Sequence, residues 1–143
     1  DKAGDAEALG ADAYLLSSDA AAMEEAAFTF DLIIDTVPVA HDLNPYVPLL
    51  DIDGTLCLVG QLGNVPEPNT APMVLKRRRI AGSLIGGIAE TQEMLDFCAK
   101  KNILPEVEMI RMDQINDAFD RMERSDVRYR FVIDMNSLAA EAA

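Results

Sequence analysis

The strongest constraint on the fold is a set of short, unbroken apolar runs set among stretches with helical spacing. Phe30 to Asp35 centres on Leu32-Ile33-Ile34, and Gly54 opens a second run, Thr55-Leu56-Cys57-Leu58-Val59. Arg79-Ile80-Ala81-Gly82-Ser83-Leu84 is a third, and Ala13-Tyr14-Leu15-Leu16 reads as a shorter strand. Parallel strands are buried on both faces and therefore read as continuous apolar runs. The intervening stretches carry helix signals. Ala3, Ala6 and Leu9 share a helical face, with Gly10 placed to stop the helix. Ser17-Ser18-Asp19 offers caps for a helix from Ala20 to Ala27. Asp42 precedes a weak helix near Leu43 to Leu50, which Pro45 and Pro48 shorten. Strands alternating with helices indicate an α/β fold with a parallel sheet.

After the loop-like stretch Gly60 to Pro72, rich in Gly, Pro and Asn, the composition shifts near Gly86-Gly87, and a domain boundary is expected there. Two clearer helices follow. Thr91 is a cap for the first, with Met94, Leu95 and Cys98 on one face and Lys100 and Lys101 at the end the helix dipole favours for cations. Asp113 is a cap for the second, with Ile115, Ala118, Phe119 and Met122 on one stripe. Val107 to Ile110 and Tyr129 to Ile133 read as strands, and the tail after Ser137 is expected to fray.

With 25 acidic against 12 basic residues the chain carries a net charge of -13. Such a balance repels nucleic acid and anionic membrane, so neither is an expected partner. No apolar run approaches the ~20 residues that cross a bilayer, and Asp1-Lys2-Ala3-Gly4-Asp5 lacks the basic and apolar regions of a signal peptide. Cys57 and Cys98 make neither a disulfide framework nor a metal knuckle. They read as buried thiols in a reducing compartment, which points to the cytoplasm. The single histidine, His41, reads as a surface or packing residue. Lys76-Arg77-Arg78-Arg79 suggests an anion site, but in so acidic a chain its stems are expected to pack along the surface beside a strand.

Two stretches carry a family resemblance. Gly82-Ser83-Leu84-Ile85-Gly86-Gly87 runs through Ile88-Ala89 into Glu90-Thr91-Gln92-Glu93-Met94-Leu95-Asp96-Phe97-Cys98, and Asp126-Val127-Arg128-Tyr129-Arg130-Phe131-Val132-Ile133-Asp134 lies near the end. Together they resemble the C-terminal part of zinc-dependent alcohol dehydrogenases of the cinnamyl-alcohol-dehydrogenase type, in the medium-chain dehydrogenase/reductase superfamily. The resemblance implies an incomplete Rossmann-type sheet over residues 1–87, without its first two strands, and the C-terminal return segment of the GroES-like catalytic domain over residues 88–143. It also implies an enzyme that moves hydride between NADP(H) and a primary alcohol or aldehyde, with zinc held by ligands outside this chain. No G-x-G-x-x-G phosphate-binding turn occurs in the sequence.

Ligands of open α/β sheets bind beyond the carboxyl ends of the strands. There the resemblance implies cofactor contacts at Thr36, Val37, Gly60, Ser83, Leu84 and Ile85. Lys2 falls near a lysine that meets the ribose 2′-phosphate of NADP in this group. No catalytic residue and no metal ligand is expected within the chain. Pro72 to Arg79 matches the family's dimer segment, with Met73-Val74-Leu75 expected as a strand added across a two-fold axis. A sheet lacking its central strands exposes hydrogen-bonding edges and an apolar face. The 143 residues alone are therefore expected to be neither a stable monomer of that fold nor an active dehydrogenase. A zinc-free, quinone-reductase-like oxidoreductase and a non-catalytic dimerisation or cofactor-binding remnant remain as alternatives.

Overall fold

The computed structural model describes residues 2–60 and 63–140, with the backbone alone at Lys2, Ala139 and Ala140. The chain divides into two compact units, Asp1–Ile85 and Gly86–Ala143.

The first unit opens with helix α1 (Lys2–Ala8), which ends at Gly10 in the left-handed region at φ 96°. Asp19 caps α2 (Ala20–Glu25) by accepting from the amides of Ala21 and Ala22, both at 3.1 Å. Strands β1 (Phe30–Asp35), β2 (Leu50–Leu58) and β3 (Arg79–Gly82) form a parallel sheet in that order. The register Ile33↔Leu56↔Ile80 puts these three side chains on one face. Leu43, Val47, Leu50 and Leu56 form the buried cluster of this unit, and Ile33, Tyr46, Met73 and Ile80 pack against it. Leu32 and Ile34 point the other way and are 55% and 58% exposed. Burying a leucine side chain contributes roughly 1.5–3 kcal/mol, so nearly all apolar stabilisation of the sheet comes from one face.

Several expectations change here. Ala13–Leu16 is irregular rather than a strand. A strand needs a partner ladder, and β1 is the free edge of the described sheet. Strand β2 begins at Leu50, ahead of Gly54, because the pairing jumps from Phe30↔Leu50 to Leu32↔Thr55 across a kink. Asp53 takes φ 63° in that kink. A Cβ on Gly54 would lie 3.0 Å from the Asp51 carbonyl and 3.1 Å from that of Phe30, so glycine leaves the kink the room that a side chain would crowd.

The expected helix over Leu43 to Leu50 is only a 3-10 turn at Val47–Leu49, since Pro45 and Pro48 remove two amides. Asp42 instead closes a local turn by accepting from the Asn44 amide at 2.9 Å. Met73-Val74-Leu75 is helical, within α3 (Ala71–Lys76), and not a strand. Pro72 suits a helix's first turn, where an amide has no partner, and the helix ends on Arg77 in the left-handed region at φ 52°.

The run Lys76 to Arg79 is engaged within the fold. Lys76 Nζ lies 4.6 Å from the Phe28 ring centroid. Arg77 donates to both carboxylate oxygens of Asp53, at 2.8 and 2.6 Å. Arg78 is buried and donates to the carbonyls of Pro72, Pro48 and Leu50. Arg79 donates to the Asp53 carbonyl at 2.7 Å.

In the second unit α4 (Ile88–Lys101) has Gly87, not Thr91, at its N-cap. Glu90 reaches back to the Gly87 amide at 2.6 Å, and the Thr91 hydroxyl donates to the Gly87 carbonyl at 3.0 Å. Strands β4 (Glu108–Arg111) and β5 (Phe131–Asp134) pair in parallel, joined through α5 (Ile115–Glu123). Asp113 lies in a preceding 3-10 turn, Met112–Gln114, and pairs with Arg111 at 3.0 Å instead of capping α5. The stripe Ile115, Ala118, Phe119 and Met122 does gather, facing Ile110, Phe131 and Ile133. Ser137, buried, opens α6 (Ser137–Ala140) and accepts from the Met112 amide at 2.9 Å. The tail thus stays helical through Ala140; residues 141–143 lie outside the described residues.

Cys57 and Cys98 are free thiols, partly accessible rather than fully buried. Among the described residues no helix is long and apolar enough to cross a membrane.

Candidate functional site

The carboxyl ends of β1, β2 and β3 lie side by side because the strands are parallel and in register, Asp35↔Leu58↔Gly82. Within two residues of each strand's end stands one of the residues expected to contact a dinucleotide. Past β1 stand Thr36 and Val37, past β2 Val59 and Gly60, past β3 Ser83. The ladder extends beyond the strands proper. The Asp35 carbonyl accepts from the amides of Val59 at 2.9 Å and Gly60 at 3.3 Å, and the Leu58 carbonyl accepts from Ser83 at 3.0 Å.

Gly60 is the tightest point. A Cβ there would sit 2.5 Å from the Thr36 carbonyl oxygen and 2.9 Å from that of Val37. Only glycine lets the two backbones approach this closely. Thr36, Val37 and Gly60 are thus one packed unit, and Ser83 stands next to them across β2. Leu84 and Ile85 continue from β3 and are 81% and 89% exposed. Lys2 lies in α1, and its side chain is outside the described residues.

A pocket of about 180 Å³ opens at the end of β1, lined by Ile33, Ile34, Thr36, Val37, Tyr46 and Leu56 together with Asp35 and His41. Asp35 and His41 were not among the expected site residues. The Asp35 side chain is 7% exposed. Its Oδ1 accepts from the Val37 amide at 2.9 Å, and its Oδ2 lies 3.0 Å from His41 Nε2. That second approach has ion-pair distance without an aligned hydrogen bond, since Oδ2 has no donor directed at it among the described residues. The other ring nitrogen, Nδ1, faces the Val39 carbonyl at 2.9 Å. A carbonyl only accepts, so Nδ1 is the donor. The ring also stands edge-on to Tyr46, at 6.0 Å between centroids and 81° between planes. An aspartate two residues ahead of an amide is a recognised turn signal and marks Asp35 in the sequence. The return of His41 to that carboxylate has no such local signature.

A zinc site needs three or more protein ligands converging on one point. Among the described residues no group of three His, Cys, Asp or Glu side chains converges in this way. His41 is turned towards Asp35 and Val39, so the residues present do not fit a zinc centre.

Known proteins resemble both sequence and fold. The pattern of the zinc-binding dehydrogenase family matches residues 1–100. A probable cinnamyl alcohol dehydrogenase 1 of Aralia cordata is 57% identical over 128 residues, 89% of this chain and 35% of the relative. The structure of a cinnamyl alcohol dehydrogenase from Sorghum bicolor superposes with a TM-score of 0.82 at 42% identity, covering 90% of this chain and 37% of that one. A CAD from Helicobacter pylori, crystallised with NADP(H), superposes with a TM-score of 0.64 at 41% identity, covering 74% of this chain and 31% of that one. The chain thus spans little more than a third of the length of the curated relatives it matches. The matching pattern extends over most of the sequence, the parallel sheet agrees with it, and the chain belongs to the zinc-binding dehydrogenase family.

Proposed function

We propose that this chain forms the nicotinamide-side wall of an NADP(H)-linked, zinc-dependent alcohol dehydrogenase that interconverts primary alcohols and aldehydes. The observation that carries this reading is the junction at the strand ends, where Gly60 is pressed on the Thr36 and Val37 carbonyls beside Ser83. A flat ring needs a flat support, and backbone without intervening side chains supplies one. Leu84 and Ile85 add apolar surface that a bound dinucleotide would shield from water. The cofactor supplies the hydride chemistry, and the protein's part is to bind and orient it. Zinc ligands lie outside this chain in this reading, and no step depends on a metal held here. The cinnamyl alcohol dehydrogenases among the relatives support an alcohol or aldehyde substrate, and the NADP(H) complex of one structural neighbour supports that cofactor. Lys2 is assigned to the 2′-phosphate end of the cofactor.

In the same reading residues 1–87 belong to the nucleotide-binding domain and residues 88–143 return to the catalytic domain. The free thiols Cys57 and Cys98 suit the cytoplasm. Pro72 to Arg79 is assigned to a homodimer contact, supported by the outward apolar side chains of Val74 and Leu75 on α3.

The test is a titration of the protein carrying this chain with NADPH, followed by fluorescence and by amide hydrogen exchange. Saturable binding with protection at Thr36, Gly60 and Ser83 is expected, together with weaker binding of NADH. Binding that leaves these three amides unchanged would remove the assignment. For the dimer contact, a native mass of one subunit at micromolar concentration would be the contrary result.

A further inference from the structure

We infer that Asp35 and His41 are positioning residues for the dinucleotide wall, holding Thr36 and Val37 in the conformation that faces the cofactor. The inference rests on the cofactor reading above and adds to it two residues that touch no cofactor in that reading.

The segment from Thr36 to Ala40 has no regular secondary structure. On one side it is held by Gly60, which leaves no space for movement towards β2. On the other side, among the described residues, it is held by side chains. The buried Asp35 carboxylate takes the Val37 amide on Oδ1 and approaches His41 through Oδ2. His41 returns a hydrogen bond to the Val39 carbonyl and leans on Tyr46, which itself packs on the buried cluster. The result is a closed ring, Asp35 to Val37 to Val39 to His41 and back to Asp35, anchored to the core at one corner. A loop held in its bound conformation binds without the cost of ordering it, so affinity follows from rigidity rather than from new contacts. The chemistry of the ring fits this role. An aspartate buried to this degree needs partners, and the partners present are the loop's own amide and a ring that grips the loop's own carbonyl.

The experiment compares His41→Ala, His41→Gln and Asp35→Asn in the protein that carries this chain. Misplacement of a positioning group far from the chemistry can cost up to about a hundredfold, and for His41→Ala a rise of about tenfold in the NADPH dissociation constant and KM is expected. Turnover at saturating NADPH should change by less than about twofold, the sign of lost binding rather than lost chemistry. Without ligand, the Val37 amide should exchange faster while Leu56 in β2 keeps its protection. His41→Gln, whose amide can still donate to the Val39 carbonyl, should recover part of the affinity. Asp35→Asn keeps the acceptor for the Val37 amide and should be milder than His41→Ala.

Unchanged NADPH affinity in His41→Ala would overturn this inference alone. So would a uniform rise in exchange across β1, β2 and β3, which would mean that the pair serves general stability. Failure of the unaltered protein to bind NADPH would overturn the cofactor reading, and this inference with it.

Discussion

The two compact units hold together by different means. The first is organised around apolar side chains withdrawn from water, Leu43, Val47, Leu50 and Leu56, all on one face of a three-stranded sheet. In the second, Ala118, 7% exposed, is the one buried apolar residue among the described residues. Its βαβ arrangement is instead tied by polar contacts. Glu108 accepts from the Arg128 amide at 2.7 Å and from Arg121 at 2.8 Å, Arg121 also pairs with Asp126 at 3.1 Å, and the Arg121 guanidinium lies 4.7 Å from the Phe131 ring centroid. The same strand-helix-strand order can therefore be drawn with or without a dry core. A unit without one has its apolar stripe half-covered and relies on contacts that water and protons can reach.

The sharpest way to break this contrast is Leu50→Ala. Truncating a fully buried leucine costs about 2–5 kcal/mol, and hydrogen exchange should show protection lost throughout β1, β2 and β3 but kept in β4 and α5. Equal loss in both units would mean that they share one cooperative core. Gly60→Ala comes next. It forces backbone apart at 2.5 Å, and overpacking of this kind costs about 1–3 kcal/mol. Thermal unfolding of the first unit should shift down, and NADPH binding should weaken with it. A variant with unaltered melting and binding would show that the strand ends are looser than the contrast requires.

The smallest effect belongs to the second unit. The Arg128 amide, and then Arg121, hold the Glu108 carboxyl below its ordinary range. A lowered folded-state pKa stabilises above the ordinary carboxylate pKa of about 4.3, and that stabilisation is lost as pH falls through the lowered value. Glu108→Gln should therefore flatten the acid limb of stability for β4 and α5 and leave that of β1 to β3 unchanged. An acid limb identical in both proteins would assign acid sensitivity to other groups.

Features with a local cause could be read from the sequence. Leu32-Ile33-Ile34 gave its strand through an unbroken apolar run, although only the Ile33 face is covered and Leu32 and Ile34 stand exposed. Asp19 and Gly10 marked helix ends through their own side-chain and backbone chemistry. That Thr36, Gly60 and Ser83 stand together at the strand ends was legible because a parallel sheet brings its carboxyl ends together whatever the loops do. What escaped depended on partners or on tertiary direction. Met73-Val74-Leu75 fits a strand or a helix equally by periodicity, and a preceding proline at the helix start decides it. Ala13 to Leu16 has strand composition but no neighbouring ladder. The pairing of Asp35 with His41 follows only once the loop has turned back on itself, which no spacing announces.

The run Lys76 to Arg79 has one further consequence. Its four cations face an aromatic ring, a carboxylate and carbonyl oxygens, so each is committed to a partner within the fold. Only Arg77 is matched by a carboxylate; a ring and carbonyl oxygens fix the other three in place without cancelling their charge, so the run is a small positive patch on a chain bearing a net charge of -13. Under the proposed function, an anionic dinucleotide approaching this chain meets net repulsion at long range, which these cations offset only at short range. Mobile ions that shorten the reach of that repulsion assist the encounter, so for this chain the ionic atmosphere acts as a partner in capture rather than as a competitor.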